Sequence, residues 1–89
     1  MKDLKIEVSA VKERCGAGHQ AGECFYVRGG GRIEIPGGQS MCMYALQSLI
    51  PFLIGKQWED SLPDDDWIAE TQELCCPDPK GIVFRITNA

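Results

Sequence analysis

No run of lysines and arginines, no Gly-x-Ser-x-Gly elbow, no pair of cysteine knuckles and no apolar stretch of bilayer length occurs in these 89 residues, and histidine occurs once. Each gap removes a class of function. Nine Lys and Arg against 13 Asp and Glu give a net charge of −4 without a basic stripe, so nucleic-acid binding through an electrostatic footprint is not expected. One histidine and no serine elbow leave a serine triad without its parts. The longest apolar run, Ser40 to Gly55, is shorter than the roughly 20 residues that span a bilayer. It also carries Gln47, Ser48 and Pro51, so no membrane span is expected. The opening Met-Lys-Asp-Leu-Lys-Ile-Glu-Val places a charge every second or third residue, where an export signal needs an unbroken apolar core. A cytoplasmic location is therefore expected, with neither nucleic acid nor membrane as partner.

Cysteine is what the chain has in excess. Cys15, Cys24, Cys42, Cys75 and Cys76 are five in a short chain, an odd number with no secretory signal before them. In a reducing compartment that pattern favours metal binding or thiol chemistry over a disulfide framework. The length fits a single domain over residues 1–89, near the size where a metal or a second subunit assists a small core.

Hydrophobic patterning predicts an α+β fold. Leu4, Ile6, Val8 and Ala10 alternate with polar residues as in a strand with one buried face. Cys24 to Arg28 is expected as a second strand with Phe25 and Val27 inward. Gly29-Gly30-Gly31 then turns the chain into Arg32 to Ile35, with Ile33 and Ile35 inward, as a β-hairpin. Ser40 to Gly55 reads as one long apolar helix capped by Ser40, kinked at Pro51 and buried on most sides, with Gln47 and Ser48 as its wet edge. Beyond it, Asp64 is expected to cap a short helical turn through Trp67 and Ile68. Thr71 to Cys76 reads as a strand, and Ile82 to Thr87 is the last strand after the Pro77–Gly81 turn. Trp58 and Trp67 are expected to close the core. Together these elements make a small, mainly antiparallel sheet or partly closed barrel of four to five strands packed on the helix.

The chemistry gathers at element ends. Cys15 lies in the glycine-rich loop after the first strand, Cys42 in the first turn of the helix, and Cys76 beside the last turn. Three residues separate Cys15 from His19, a spacing that suits two ligands of one metal if the loop curls around it. Cys15, His19, Cys42 and Cys76 would offer three thiolates and one imidazole, a set suited to tetrahedral zinc, while an iron–sulfur cluster would use the thiolates. Each residue also has a plainer role open to it. A free cysteine often only packs, which fits Cys24 best, and His19 could be a hydrogen-bonded loop residue. Of the neighbours Cys75 and Cys76, one is expected at the site and the other in packing. The Asp64–Asp66 cluster reads as a solvated helix-capping turn.

Three segments carry a resemblance: Cys15-Gly16-Ala17-Gly18-His19-Gln20-Ala21-Gly22; Cys42-Met43-Tyr44-Ala45-Leu46 with Pro51 downstream; and Cys76-Pro77-Asp78-Pro79 followed by Val83-Phe84-Arg85-Ile86. Over nearly its whole length the chain resembles a family of short bacterial and archaeal proteins, many from anaerobes, with Cys-x-x-Gly-His, Cys-x-x-Ala-Leu and Cys-Pro-Asp-Pro motifs. The resemblance implies that Cys15, His19, Cys42 and Cys76 form one shared site and that Cys24 and Cys75 are extras. It implies no particular reaction. Gly16 stands where relatives often carry proline, and Cys24 where an acidic or other polar residue is common; neither departure removes a candidate ligand.

The leading expectation is a metal-binding accessory or electron-transfer protein using zinc or an iron–sulfur cluster. A rival is a thiol-based redox protein or enzyme with Cys42 as nucleophile at the helix start, and a third reading is an interaction module whose cysteines only pack. A short chain that leaves part of its helix uncovered also suggests a homo-oligomer or a larger enzyme partner.

Overall fold

The computed structural model describes all 89 residues as one antiparallel sheet and one principal helix. The strands are β1 (Leu4–Val11), β2 (Cys24–Arg28), β3 (Arg32–Glu34), β4 (Glu73–Cys75) and β5 (Ile82–Asn88), in the spatial order β3-β2-β1-β5-β4. Helix α1 (Met43–Gln57) joins β3 to the opposite half of the chain, followed by a single 3-10 turn (Glu59–Ser61) and the short α2 (Trp67–Glu70). The sheet is open, with β3 and β4 as its edges. It does not curl into a barrel.

Period-two patterning decides which face is covered. Leu4, Ile6 and Val8 of β1, Phe25 and Val27 of β2, and Ile82, Phe84 and Ile86 of β5 all point to one side. There they pack with Ala45, Leu49, Phe52 and Leu53 of α1. Alternation fails late in β1, where the register against β5 shifts between Val8 and Ala10. The bulge carries Ala10 out to solvent and turns Val11 toward the core instead. Ile33 and Ile35 were expected inward, yet both are exposed, because the core runs over β1, β2 and β5 and stops short of the three-residue edge strand β3. The hairpin turn between β2 and β3 uses positive φ at Gly29 and Gly31, as a sharp reversal demands.

The helix departs from expectation in two ways. Its N-cap is Cys42, two residues beyond Ser40, so the thiol stands at the cap rather than in the first turn; the Cys42 carbonyl makes the first intrahelical bond, accepting from Leu46 N–H at 2.9 Å. It is also only half covered. Ala45, Leu49, Phe52, Leu53, Lys56 and Gln57 are buried, whereas Met43, Tyr44, Ile50 and Ile54 lie open beside Gln47 and Ser48. Pro51 sits inside one continuous helix on this open side, where the Gln47 carbonyl it cannot pair with is able to meet water.

The C-terminal end of α1 is held by polar groups. Gln57 is buried and donates through Nε2 to the carbonyls of Lys2 (3.2 Å) and Gly29 (3.0 Å), while its own carbonyl accepts from Lys2 N–H at 2.8 Å. Buried Lys56 donates to the carbonyls of Ile68 (3.3 Å) and Ala69 (3.1 Å) and pairs with Glu59, which also takes Lys2 at 2.8 Å. Asp66, rather than Asp64, caps α2, accepting from Ile68 N–H at 2.9 Å. Trp58 and Trp67 are both exposed instead of closing the core, although Trp67 keeps one face on Phe52 with ring centroids 5.5 Å apart.

Candidate functional site

Antiparallel connection brings the cysteine-bearing segments to one end of the sheet. β1 finishes there, β2 and β5 begin there, and β3 runs back to it and hands the chain to α1. The exit of β1 is tied along the β4–β5 turn. Lys12 N–H donates to the Gly81 carbonyl (2.8 Å), and Glu13 and Arg14 N–H donate to that of Lys80 (2.9 and 3.1 Å). The Cys76 amide closes the same turn by donating to the Ile82 carbonyl at 2.9 Å. Gly81 is buried beneath the turn, where a Cβ would stand 3.2 Å from the Asp78 carbonyl oxygen and 3.4 Å from Cys76 Cβ.

Cys15, Cys42 and Cys76 therefore line one cavity of about 580 Å³, with Arg14, Tyr44 and Asp78 among its walls. All three are half-buried and free. The other two cysteines lie elsewhere. Cys24 is on the outer face of β2, with Sγ 3.9 Å from the Tyr26 hydroxyl, and Cys75 is exposed on β4, 3.8 Å from Lys12 Nζ. As the side chains stand, no three of the His, Cys, Asp or Glu residues form a group that could hold a metal ion.

His19 is buried beside this cavity, with its side chain 4 % exposed, and both ring nitrogens are occupied. Nε2 accepts the Cys42 amide N–H at 3.0 Å, which requires the proton to sit on Nδ1; from there it is donated to Glu23 Oε1 at 2.8 Å. Glu23 Oε2 in turn accepts from Gln20 N–H at 2.6 Å. The bond to His19, reinforced by the Gln20 amide, holds the Glu23 carboxyl below its ordinary value. The imidazole thus anchors the backbone at the start of α1. It fixes where Cys42 stands while the Cys42 thiol makes no capping bond and is left to the cavity.

Glu23 is the participant that composition and motif do not single out. Its one visible signal is the four-residue spacing from His19, and that spacing has meaning only once the glycine loop is seen to fold back. Arg14, Tyr44 and Asp78 are likewise drawn in by topology. Comparison with protein-family models, curated proteins and solved structures finds no match for this chain.

Proposed function

We propose that the protein binds a soft metal ion, zinc or the iron of an iron–sulfur centre, through the thiolates of Cys15, Cys42 and Cys76, and serves as a cytoplasmic accessory or electron-transfer component. The supporting observation is that three cysteines 27 and 34 residues apart in sequence share one cavity while the remaining two lie outside it. Thiolate sulfur is the soft donor that zinc and iron–sulfur centres take. Metal would then cross-link the β1–β2 loop, the start of α1 and the β4–β5 turn, so binding energy becomes folding energy. His19 stays out of the ligand set and positions Cys42. The motif resemblance implies a site of the same three cysteines together with His19.

A thiol-redox reading with Cys42 as nucleophile is favoured by one feature, its place at the helix N-cap with no side chain capping the first-turn amides. Elemental analysis of protein purified without oxygen or chelator separates the two. About one zinc, or iron with sulfide and a visible band, lost in each of Cys15→Ser, Cys42→Ser and Cys76→Ser and retained in Cys24→Ser, supports the metal site. Protein that arrives without metal and fails to bind added zinc or reconstituted cluster overturns it. Alkylation of Cys42 faster than that of an unfolded thiol would then carry the redox reading.

A further inference from the structure

The outer face of α1 has no role in the thiol cavity beyond Tyr44, and it is the least protein-like surface of the molecule. Five of the nine exposed large apolar residues lie on this helix or its C-cap: Met43 at 81 %, Tyr44 at 71 %, Ile50 at 37 %, Ile54 at 57 % and Trp58 at 51 %. Met43, Gln47, Ile50, Ile54 and Trp58 follow one another at spacings of four, three, four and four, so they form a single stripe along the whole helix, flanked by Tyr44 and Pro51. Every exposed residue of α1 is uncharged; its one charged side chain, Lys56, is buried on the opposite side.

We infer that this stripe is the interface of a homodimer in which α1 packs antiparallel against α1 of a second copy. About a two-fold axis the same face meets itself, so any charge on it enters the interface twice, and a chain of net charge −4 self-associates most readily through a face that carries none. This face satisfies that condition along its full length. The open area is also of the right size. The five large residues leave roughly 600 Å² exposed, and Gln47, Ser48 and Pro51 bring the face close to the ~800 Å² per partner of a standard stable interface. Antiparallel pairing about the midpoint of Ile50 and Pro51 sets Met43 against the partner's Trp58 and Gln47 against the partner's Ile54, and it opposes the two helix dipoles. The two thiol cavities, each at the start of its own α1, then lie at opposite ends of the interface, each beside the end of the neighbouring helix.

Light scattering coupled to size exclusion, at about 100 µM chain, tests this. Wild type is expected at twice the 9.8 kDa chain mass. Ile54→Glu and Gln47→Lys, each of which places two like charges in the interface, are expected at the single-chain mass with unchanged far-ultraviolet circular dichroism. Ile33→Glu, which alters an exposed isoleucine on the edge strand, is expected to remain a dimer. Gln47 is already exposed and polar, so its variant reads the interface even where Ile54→Glu disturbs the fold. Wild type at the single-chain mass, or a dimer that survives both α1 substitutions, overturns the inference. Neither result depends on whether the cavity binds metal.

Discussion

His19 and Cys42 are joined ring to backbone: His19 Nε2 stands 3.0 Å from the Cys42 amide nitrogen, and on the far side of the ring Glu23 holds Nδ1 at 2.8 Å. An imidazole from a loop 23 residues earlier thus satisfies the amide of the N-cap residue itself, while the first-turn amides beyond it have no side-chain cap from Cys42. His19→Phe keeps the ring volume and removes the acceptor. It leaves the half-buried Cys42 N–H without its acceptor, so we expect a loss of about 1–2 kcal/mol by urea unfolding. Because the same bond positions Cys42, the variant is also expected to alkylate faster at Cys42 while keeping its metal stoichiometry, since the imidazole is not a ligand in the proposed site. Loss of metal in step with loss of the histidine would return His19 to the ligand set.

The order of events at the C-terminal end of α1 predicts an acid limb to stability. Burial works to raise the Glu59 carboxyl, but the bonds from Lys2 and Lys56 outweigh it and hold the group below its ordinary 4.5. A carboxyl lowered in the folded state contributes stability that is complete above the unfolded value and is lost as pH falls through the folded one. Unfolding midpoints should therefore decline as pH is taken below about 4.5, and Glu23 contributes with the same sign. Glu59→Gln should flatten part of that decline and cost about 1–2 kcal/mol at neutral pH, because Lys56 keeps its two carbonyl partners. An acid limb of unchanged size in Glu59→Gln would assign it to other groups.

Much of the fold is legible in the sequence because it depends on local periodicity. The Cys24–Arg28 strand, the triple-glycine hairpin and the final strand follow from alternation and turn chemistry alone, and the structure places them within a residue of expectation. What the sequence does not carry is relative placement. Alternation marks Ile33 as apolar but not that its strand lies at an edge beyond the reach of α1. Ser40 has the better capping side chain, yet the cap falls at Cys42 because a histidine from elsewhere satisfies the amide there. The open face of α1 is hidden for a related reason. Apolar residues around a whole helix read as burial, and only the single-sided sheet shows that half of them have nothing within the chain to cover them.

Leu49 measures how firmly the helix is seated. It is fully buried between Ala45 and Leu53 on the covered side of α1 and packs into the sheet core with Phe25 and Phe84. Leu49→Ala is expected to cost about 3 kcal/mol, within the range found when a buried leucine is truncated. Ile54→Ala, on the exposed stripe of the same helix, is expected to cost under about 0.5 kcal/mol within the monomer. Equal losses in the two, measured at concentrations where both are monomeric, would contradict the one-sided packing of α1.

Cys75 and Cys76 are adjacent and yet face different surroundings. Cys75 is the last residue of β4, paired in register with Val83, and strand alternation sends it outward next to Lys12. Cys76 is past the strand; its amide is tied to Ile82, and its side chain packs against the core and lines the cavity with Cys15 and Cys42. A brief treatment with iodoacetamide under reducing conditions should therefore label Cys75 first among the five, as read by peptide mass. Added zinc should slow labelling of Cys15, Cys42 and Cys76 together and leave Cys75 and Cys24 unaffected. The pair serves as its own control, because solvent access and thiol chemistry change across one peptide bond while expression and folding do not. Protection that falls equally on Cys75 and Cys76 would point to a vicinal pair binding the ion outside the cavity, and the three-cysteine site would fail with it.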